Sequence, residues 1–292
     1  MEGITPIESY HTMPQSARPK TRSARRAFLL SAVLASLVAA CAVSQQQEVQ
    51  MGAKYSTQIA RELPLIRDPE TLRYIKWLGD SLARTTDDRN LEWHFSIVDS
   101  KEVNAFAVPG GWIYVNRGLI ERATNMSQLA GVIGHEIGHV TQRHSIKQMQ
   151  KGQGANVGMT LACILTNVCS NGLGQAGFQV VGGGIFAKFS RSDEAEADRE
   201  GVRTVIRAGI DPHGIPEMFR ILLDERKARP GALDEYFATH PMEEDRIAAT
   251  NALIAQYPPD LLQGLKMDSP EFQDFKKHLM SLPPSPEPKS KR

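Results

Sequence analysis

Strong charge of either sign is missing from this sequence. Its 292 residues include 34 basic and 33 acidic side chains, a formal net charge of +1. That near-balance argues against a general nucleic-acid binder, which needs a basic footprint. Cysteine is scarce, with three in the chain, so at most one intrachain bridge can form. No internal repeat is visible, which excludes a helical-repeat array. Long apolar runs are absent as well. The longest candidate, residues 27–38, is too short and too rich in small residues for a transmembrane helix. What remains is ordinary globular composition, 41% hydrophobic and 23% charged, enough for one sizeable core.

The small positive excess belongs to the first 40 residues. Arg18, Lys20, Arg22, Arg25 and Arg26 face only Glu2 and Glu8 there, and the rest of the chain carries a net of −2. Basic residues followed by the apolar run 27–38 read as a secretion signal over residues 1–40. Its end, Val38-Ala39-Ala40-Cys41, resembles a bacterial lipobox. The resemblance implies cleavage before Cys41 and lipid attachment to it. A plain signal peptide that happens to hold a cysteine is the alternative. General secretion is preferred to twin-arginine export, and Met13 is the expected start of translation. Residues 41–50, Gln-rich and polar, read as the lipidated cysteine and a tether. Cys163 and Cys169 are open to two readings, a disulfide or two small buried residues.

Periodicity predicts a helix over 51–84, with Leu72, Ile75, Leu78 and Leu82 on one face. Alternation predicts strands over 92–98 and 111–115, broken by Pro109-Gly110-Gly111. A helix is expected over 126–150. Gly131, Gly134 and Gly138 form one stripe on it, suggesting close packing against another backbone. Residues 152–184 are Gly-rich, either a mobile lid or a variable surface loop. Further helices are expected from about 190, over 213–228 and over 243–256. The tail from Pro283 reads as disordered.

The chemistry is concentrated at His135-Glu136-Ile137-Gly138-His139. Histidines four apart on a helix share a face and can bind one Zn2+ at about 2.0–2.1 Å. Glu136 sits beside the first ligand, where a carboxylate can serve as general base and return the proton to the leaving amine. A chance match in a chain of this composition is on the order of 1%. A third ligand is required. The pattern with a glycine and then a histidine downstream of His139 is excluded, because Gln142 and Ser145 stand there. His144 has the wrong spacing and reads as an exposed polar residue. Ser190 to Asp193 reads as a helix start. Beyond it Glu194, Asp198, Gly201 and Val205 share one face, while Glu196, Glu200, Arg203 and Arg207 form a solvated, ion-paired one. Glu194 is therefore the expected third ligand, and Asp198 its support from behind, accepting the free N–H of a ligating histidine.

Taken together these motifs resemble the HtpX-like and CAAX-prenyl-protease family of zinc metallopeptidases, in its bacterial periplasmic lipoprotein branch. The resemblance covers roughly residues 50–256. It rests on Asn104-Ala105-Phe106-Ala107-x-Pro109-Gly110-Gly111, His135-Glu136-x-x-His139-x-x-x-Arg143-His144, Ser190-Arg191 with Glu194-x-x-Ala197-Asp198, and Thr239-His240-Pro241 with Arg246. It implies one Zn2+ per chain on His135, His139 and Glu194, with Glu136 as base. It implies His240 and Arg246 near the zinc and the scissile carbonyl, and leaves open that His240 binds zinc in a resting state. Asn104, Ala105, Phe106 and Ala107 would border the cleft and pair with an extended substrate, unless that edge is covered.

The expected fold is α+β and zincin-like, mostly helical with a small sheet bordering the cleft. The peptidase domain is expected over 51–256, with 257–292 as a C-terminal extension. The expected activity is zinc-dependent endoproteolysis of misfolded or misassembled bacterial envelope proteins, with outer-membrane assembly machinery as a possible partner. The protein would be lipid-anchored, outer membrane favoured, and face the periplasm. Two alternatives stand beside it: a chaperone or scaffold for outer-membrane protein assembly that rarely cuts, and an exopeptidase.

Overall fold

A computed structural model describes residues 43–152, 180–181, 184–185, 189–231, 233–240 and 244–286. The leader, Cys41, Cys163, Cys169, nearly all of the Gly-rich segment and residues 287–292 lie outside them.

The first helix, α1, runs over Gln45–Glu62 and is set by local chemistry. Ser44 caps it, accepting from the Gln47 N–H, while the Gln47 side chain returns the bond to the Ser44 N–H. Residues 45–50 are thus the opening turns of a helix, a correction to the tether expected there. Glu48 on this helix is 1% exposed. The expected single helix over 51–84 is in fact two. The chain extends through Pro64, and α2 starts afresh over Pro69–Ala83, capped by Asp68 with Pro69 in its first turn. Ile75, Leu78 and Leu82 on α2 are fully buried.

Three strands follow, β1 (His94–Val98), β2 (Ala105–Val108) and β3 (Trp112–Asn116), in the order β1-β3-β2. β3 pairs parallel with β1, Ile97 opposite Val115, and antiparallel with β2, Phe106 opposite Tyr114. The β2–β3 turn needs Gly110 and Gly111, whose φ values are +82° and +97°. β2 is left as an edge strand, packed beside the central helix.

After the short α3 (Arg117–Arg122) comes that central helix, α4 (Met126–Thr141), capped by Asn125 and buried along its length from Met126 to Val140. The helix expected over 126–150 breaks here. Arg143 adopts φ +58°, and α5 (His144–Gly152) leaves in a new direction. A two-strand hairpin, β4 (Val180–Val181) with β5 (Gly184–Ile185), precedes α6 (Arg191–Arg207). Then come α7 (Gly214–Ala228), α8 (Asp234–Thr239), α9 (Glu244–Ile254), α10 (Pro259–Leu262) and α11 (Pro270–Ser281).

The segment after residue 256 corrects the expected domain limit. Phe272, Phe275 and Leu279 on α11 join the main core, and Phe275 stacks on Tyr74 of α2 with centroids 4.3 Å apart. Arg117, 4% exposed, donates to the Pro283 carbonyl at 2.6 Å, and the Ser285 hydroxyl donates to Asp99 at 2.7 Å. Residues 283–286, expected as part of a disordered tail, are therefore tied down. Among the described residues, no helix is long and apolar enough to cross a membrane. The result is α+β, mostly helical, with a small three-stranded sheet.

Candidate active site

Two helices make the site, α4 and α6, and small residues let them touch. A methyl group on Gly138 would meet the Ala197 carbonyl at 3.0 Å, and one on Gly201 the His135 nitrogen at 3.2 Å. The glycine stripe on α4 thus faces a backbone, as its spacing suggested. This approach turns His135 and His139 toward Glu194 in the first turn of α6. Ser190 fixes that turn. Its hydroxyl and the Asp193 carboxylate exchange cap bonds with each other's backbone N–H.

His135, His139, Glu194 and His240 form one buried group whose ligand atoms all lie within 4.8 Å of one another. The Nε2 atoms of His135 and His139 are 3.0 Å apart, and His240 Nδ1 is 3.4 Å from His135 Nε2. Glu194 lies 3.5 Å from His139 Nε2, 3.6 Å from His135 Nε2 and 3.1 Å from His240 Nδ1. Tetrahedral zinc with bonds of 2.0–2.1 Å has ligand edges of about 3.3–3.4 Å. The donor set, three imidazoles and a carboxylate, suits the same ion. These residues can hold one zinc ion.

The surrounding charges are arranged by helix. Asp198, one turn beyond Glu194, lies 2.9 Å from His135 Nδ1. Arg246 of α9 donates to Asp198 through Nε at 3.0 Å and Nη2 at 2.7 Å, and its Nη1 lies 2.8 Å from Glu194. Its guanidinium also covers the Phe219 ring at 4.5 Å. Burial alone would raise the Glu194 carboxyl, but the facing histidines hold it well below the usual range. Burial likewise opposes the charge of Asp198, and Arg246 and His135 outweigh it and keep its carboxyl low. His135 answers in the other direction. Burial pulls it down, yet Asp198 and Glu194 lift it to about 9. Burial dominates at His139, pushing it well down.

Glu136 differs from its neighbours. It is 1% exposed, and neither carboxylate oxygen has a hydrogen-bond partner among the described residues. His240 Nε2 stands 3.5 Å from its Oε1. Burial pushes the Glu136 carboxyl up, against the pull of His240 and His135. A buried carboxylate without a partner is costly and leaves its oxygens free for a proton carried by another molecule.

The sequence-predicted residues His135, Glu136, His139, Glu194, Asp198, His240 and Arg246 converge here. Asn104 precedes, and Ala105 to Ala107 lie along, the edge strand β2, which packs beside α4. Phe106 stacks on Tyr114 at 5.0 Å, and Asn104 Oδ1 is buried without a hydrogen-bond partner among the described residues.

Three side chains of the site were missed. His144, expected to be exposed, is fully buried, with its Nδ1 2.9 Å from His139 Nδ1 and its Nε2 3.2 Å from Glu196. Phe189 stacks on His139 at 3.9 Å, and Tyr236 stacks on His240 at 5.1 Å. Arg143-His144 was visible as a motif, but nothing in the sequence pattern marked the two aromatics.

The sequence is similar to those of known proteins. Residues 69–254 match peptidase family M48. A beta-barrel assembly-enhancing protease of Escherichia coli is 35% identical over 227 residues, 75% of this chain and 46% of that protein. Its Yersinia pestis counterpart is 33% identical over 230 residues, 76% and 46% of the two chains. The metalloprotease LoiP of Escherichia coli is 32% identical over 157 residues, 52% and 59% of the two. The chain spans about half the length of these curated relatives. Because the match covers nearly two thirds of the chain and includes both helices of the site, the chain belongs to peptidase family M48.

Proposed function

We propose that this protein is a zinc-dependent endopeptidase acting on misfolded or misassembled envelope proteins. The observation that carries the proposal is the contrast within one buried cluster: three imidazoles and a carboxylate within 4.8 Å of one another, beside a second carboxylate that accepts no hydrogen bond from the described residues and has only His240 facing it. His135, His139 and Glu194 would hold the zinc, which when bound would supply Lewis-acid polarisation. Glu136 takes the proton of the attacking water and delivers it to the leaving amine. His240, facing both Glu136 and Glu194, would supply an N–H for charge developing on the carbonyl oxygen, and its Nδ1 belongs to the group that could hold the ion. Arg246 acts through Glu194 and Asp198, which engage its guanidinium, rather than on the carbonyl itself. Asp198 orients His135.

Within Asn104, Ala105, Phe106 and Ala107, the Asn104 carbonyl already accepts from the Asn116 N–H, so by antiparallel alternation the edge strand β2 turns the main-chain groups of Ala105 and Ala107 outward for an extended substrate, a mode that tolerates many sequences. A cavity of about 460 Å³ beside Glu194 and Asp198, lined also by Ala249 and Leu253, leaves room for a flanking side chain. The envelope setting is supported by the leader and lipobox over residues 1–41 and by relatives named for β-barrel assembly. We place the lipid on Cys41 and favour the outer membrane, facing the periplasm. The peptidase domain begins at Ser44 on this reading, so only Ala42 and Val43 separate it from the lipidated residue.

Glu136→Gln should retain one zinc per chain in metal analysis while casein cleavage falls by about 10²–10⁴-fold, the usual scale for a general base. Persistent cleavage would overturn the mechanism. If the wild type cleaves no unfolded protein while Glu136→Gln still rescues a deletion strain, a scaffold role replaces it. Mass mapping of the casein products separates internal cuts from end trimming. Cys41→Ala should move the protein from the membrane fraction to the soluble one.

A further inference from the structure

We propose that His144 and Glu196 form a hydrogen-bonded relay behind His139 that fixes its tautomer and ring plane as a metal ligand. The inference rests on the zinc reading above and assigns a role to two residues that reading does not use.

The argument is proton bookkeeping. His139 Nε2 faces His135 and Glu194, so Nε2 must present a bare lone pair to a metal. A neutral imidazole then carries its proton on Nδ1. That Nδ1 lies 2.9 Å from His144 Nδ1. Two nitrogens at this distance share one proton, so His144 Nδ1 accepts and is itself bare. His144 then carries its proton on Nε2, which stands 3.2 Å from Glu196 Oε2, a carboxylate that can only accept when ionised. Each bond has one allowed direction, from His139 through His144 to Glu196.

The surroundings hold the relay in register. His144 is fully buried. The left-handed turn at Arg143 brings its ring beneath His139, and Arg143 is anchored by donating to the buried Glu48 at 2.8 Å. Arg89 also donates to Glu48, at 3.0 Å, and to the Val140 carbonyl at 2.8 Å, so the end of α4 and the turn share one clamp. Phe189 lies against the His139 ring at 3.9 Å. The two histidine ligands thus differ in backing. His135 meets a carboxylate directly, Asp198 at 2.9 Å, whereas His139 reaches one only through a second imidazole. His144 is accordingly a positioning residue.

The test uses the zinc-loaded, full-length protein. Nitrogen-15 NMR of its histidines should show His139 protonated on Nδ1 and His144 on Nε2. A His144 protonated on Nδ1, or on both nitrogens, would overturn the relay. Zinc affinity, measured by competition with a chromophoric chelator, supplies a second readout. His144→Phe removes the acceptor and should weaken zinc binding by about 10–100-fold. His144→Asn sets an amide oxygen near the place of Nδ1 and should stay within about threefold of wild type. If both variants bind as wild type does, or both lose zinc equally, the relay is wrong. If wild type binds and cleaves while His144→Phe keeps full affinity, only the relay falls. If wild type binds no zinc, the metal reading falls with it.

Discussion

Glu136 and Glu194 are the same residue type in the same buried cluster, 1% and 2% exposed, yet their surroundings are opposite. Glu194 is met by three histidines and Arg246, which hold its carboxyl far below the usual range. Glu136 has no hydrogen-bond partner for either oxygen among the described residues, and burial pushes its carboxyl up. Burial alone therefore does not assign a role to an acid. The partners do. A carboxylate surrounded by donors is fixed as an anion, which suits a ligand, while one faced by a single imidazole at 3.5 Å is poised to take up a proton.

The comparison can be broken first at Glu194. Glu194→Gln should weaken zinc binding by more than about 100-fold, beyond the range of outer-shell changes. Equilibrium dialysis measures it, and near-wild-type affinity would mean that Glu194 is not a ligand. Next comes Arg246→Met, which strips the shared cation from Glu194 and Asp198. The metal-free protein should lose about 3–5 kcal/mol in urea unfolding, the scale for orphaning buried charges. A third change probes the spacing between the carboxylate and the imidazoles. Gly138→Ala should cost about 1–3 kcal/mol, because its methyl meets the Ala197 carbonyl at 3.0 Å. Gly134→Ala, whose methyl meets only contacts of 3.4 Å or more, should be near neutral. The smallest effect sharpens the contrast at Glu136. Glu136→Met should stabilise the metal-free protein by about 1 kcal/mol in the same assay, since an unpartnered polar group is exchanged for an apolar one. A loss of stability there would imply that Glu136 has partners after all.

Much of the site was legible because it obeys helical phase. His135 with His139, and Glu194 rather than Glu196, follow from residues one turn apart on regular helices. His144 failed for the same reason. Extrapolated along an unbroken helix it points about 140° away from His139. The left-handed Arg143 reverses that, and nothing local demands φ +58° of an arginine. The opening of α1 was hidden by long-range pairing. Glu48 is buried because Arg89 and Arg143 reach it from 41 and 95 residues away. The C-terminal segment was different. Phe272, Phe275 and Leu279 already share a helical face, so the helix was readable and only its docking on α2 was not.

The contact between α4 and α6 works as a spacing gauge. The reach from Glu194 to the imidazoles is set by atoms that are absent, at Gly134, Gly138 and Gly201. Backbone meets backbone there, at the Ala197 and Gly201 carbonyls, so the separation depends little on side-chain packing. The cost is intolerance. At Gly138 a single methyl would act as a shim between the helices, pushing Glu194 away from the imidazoles it faces.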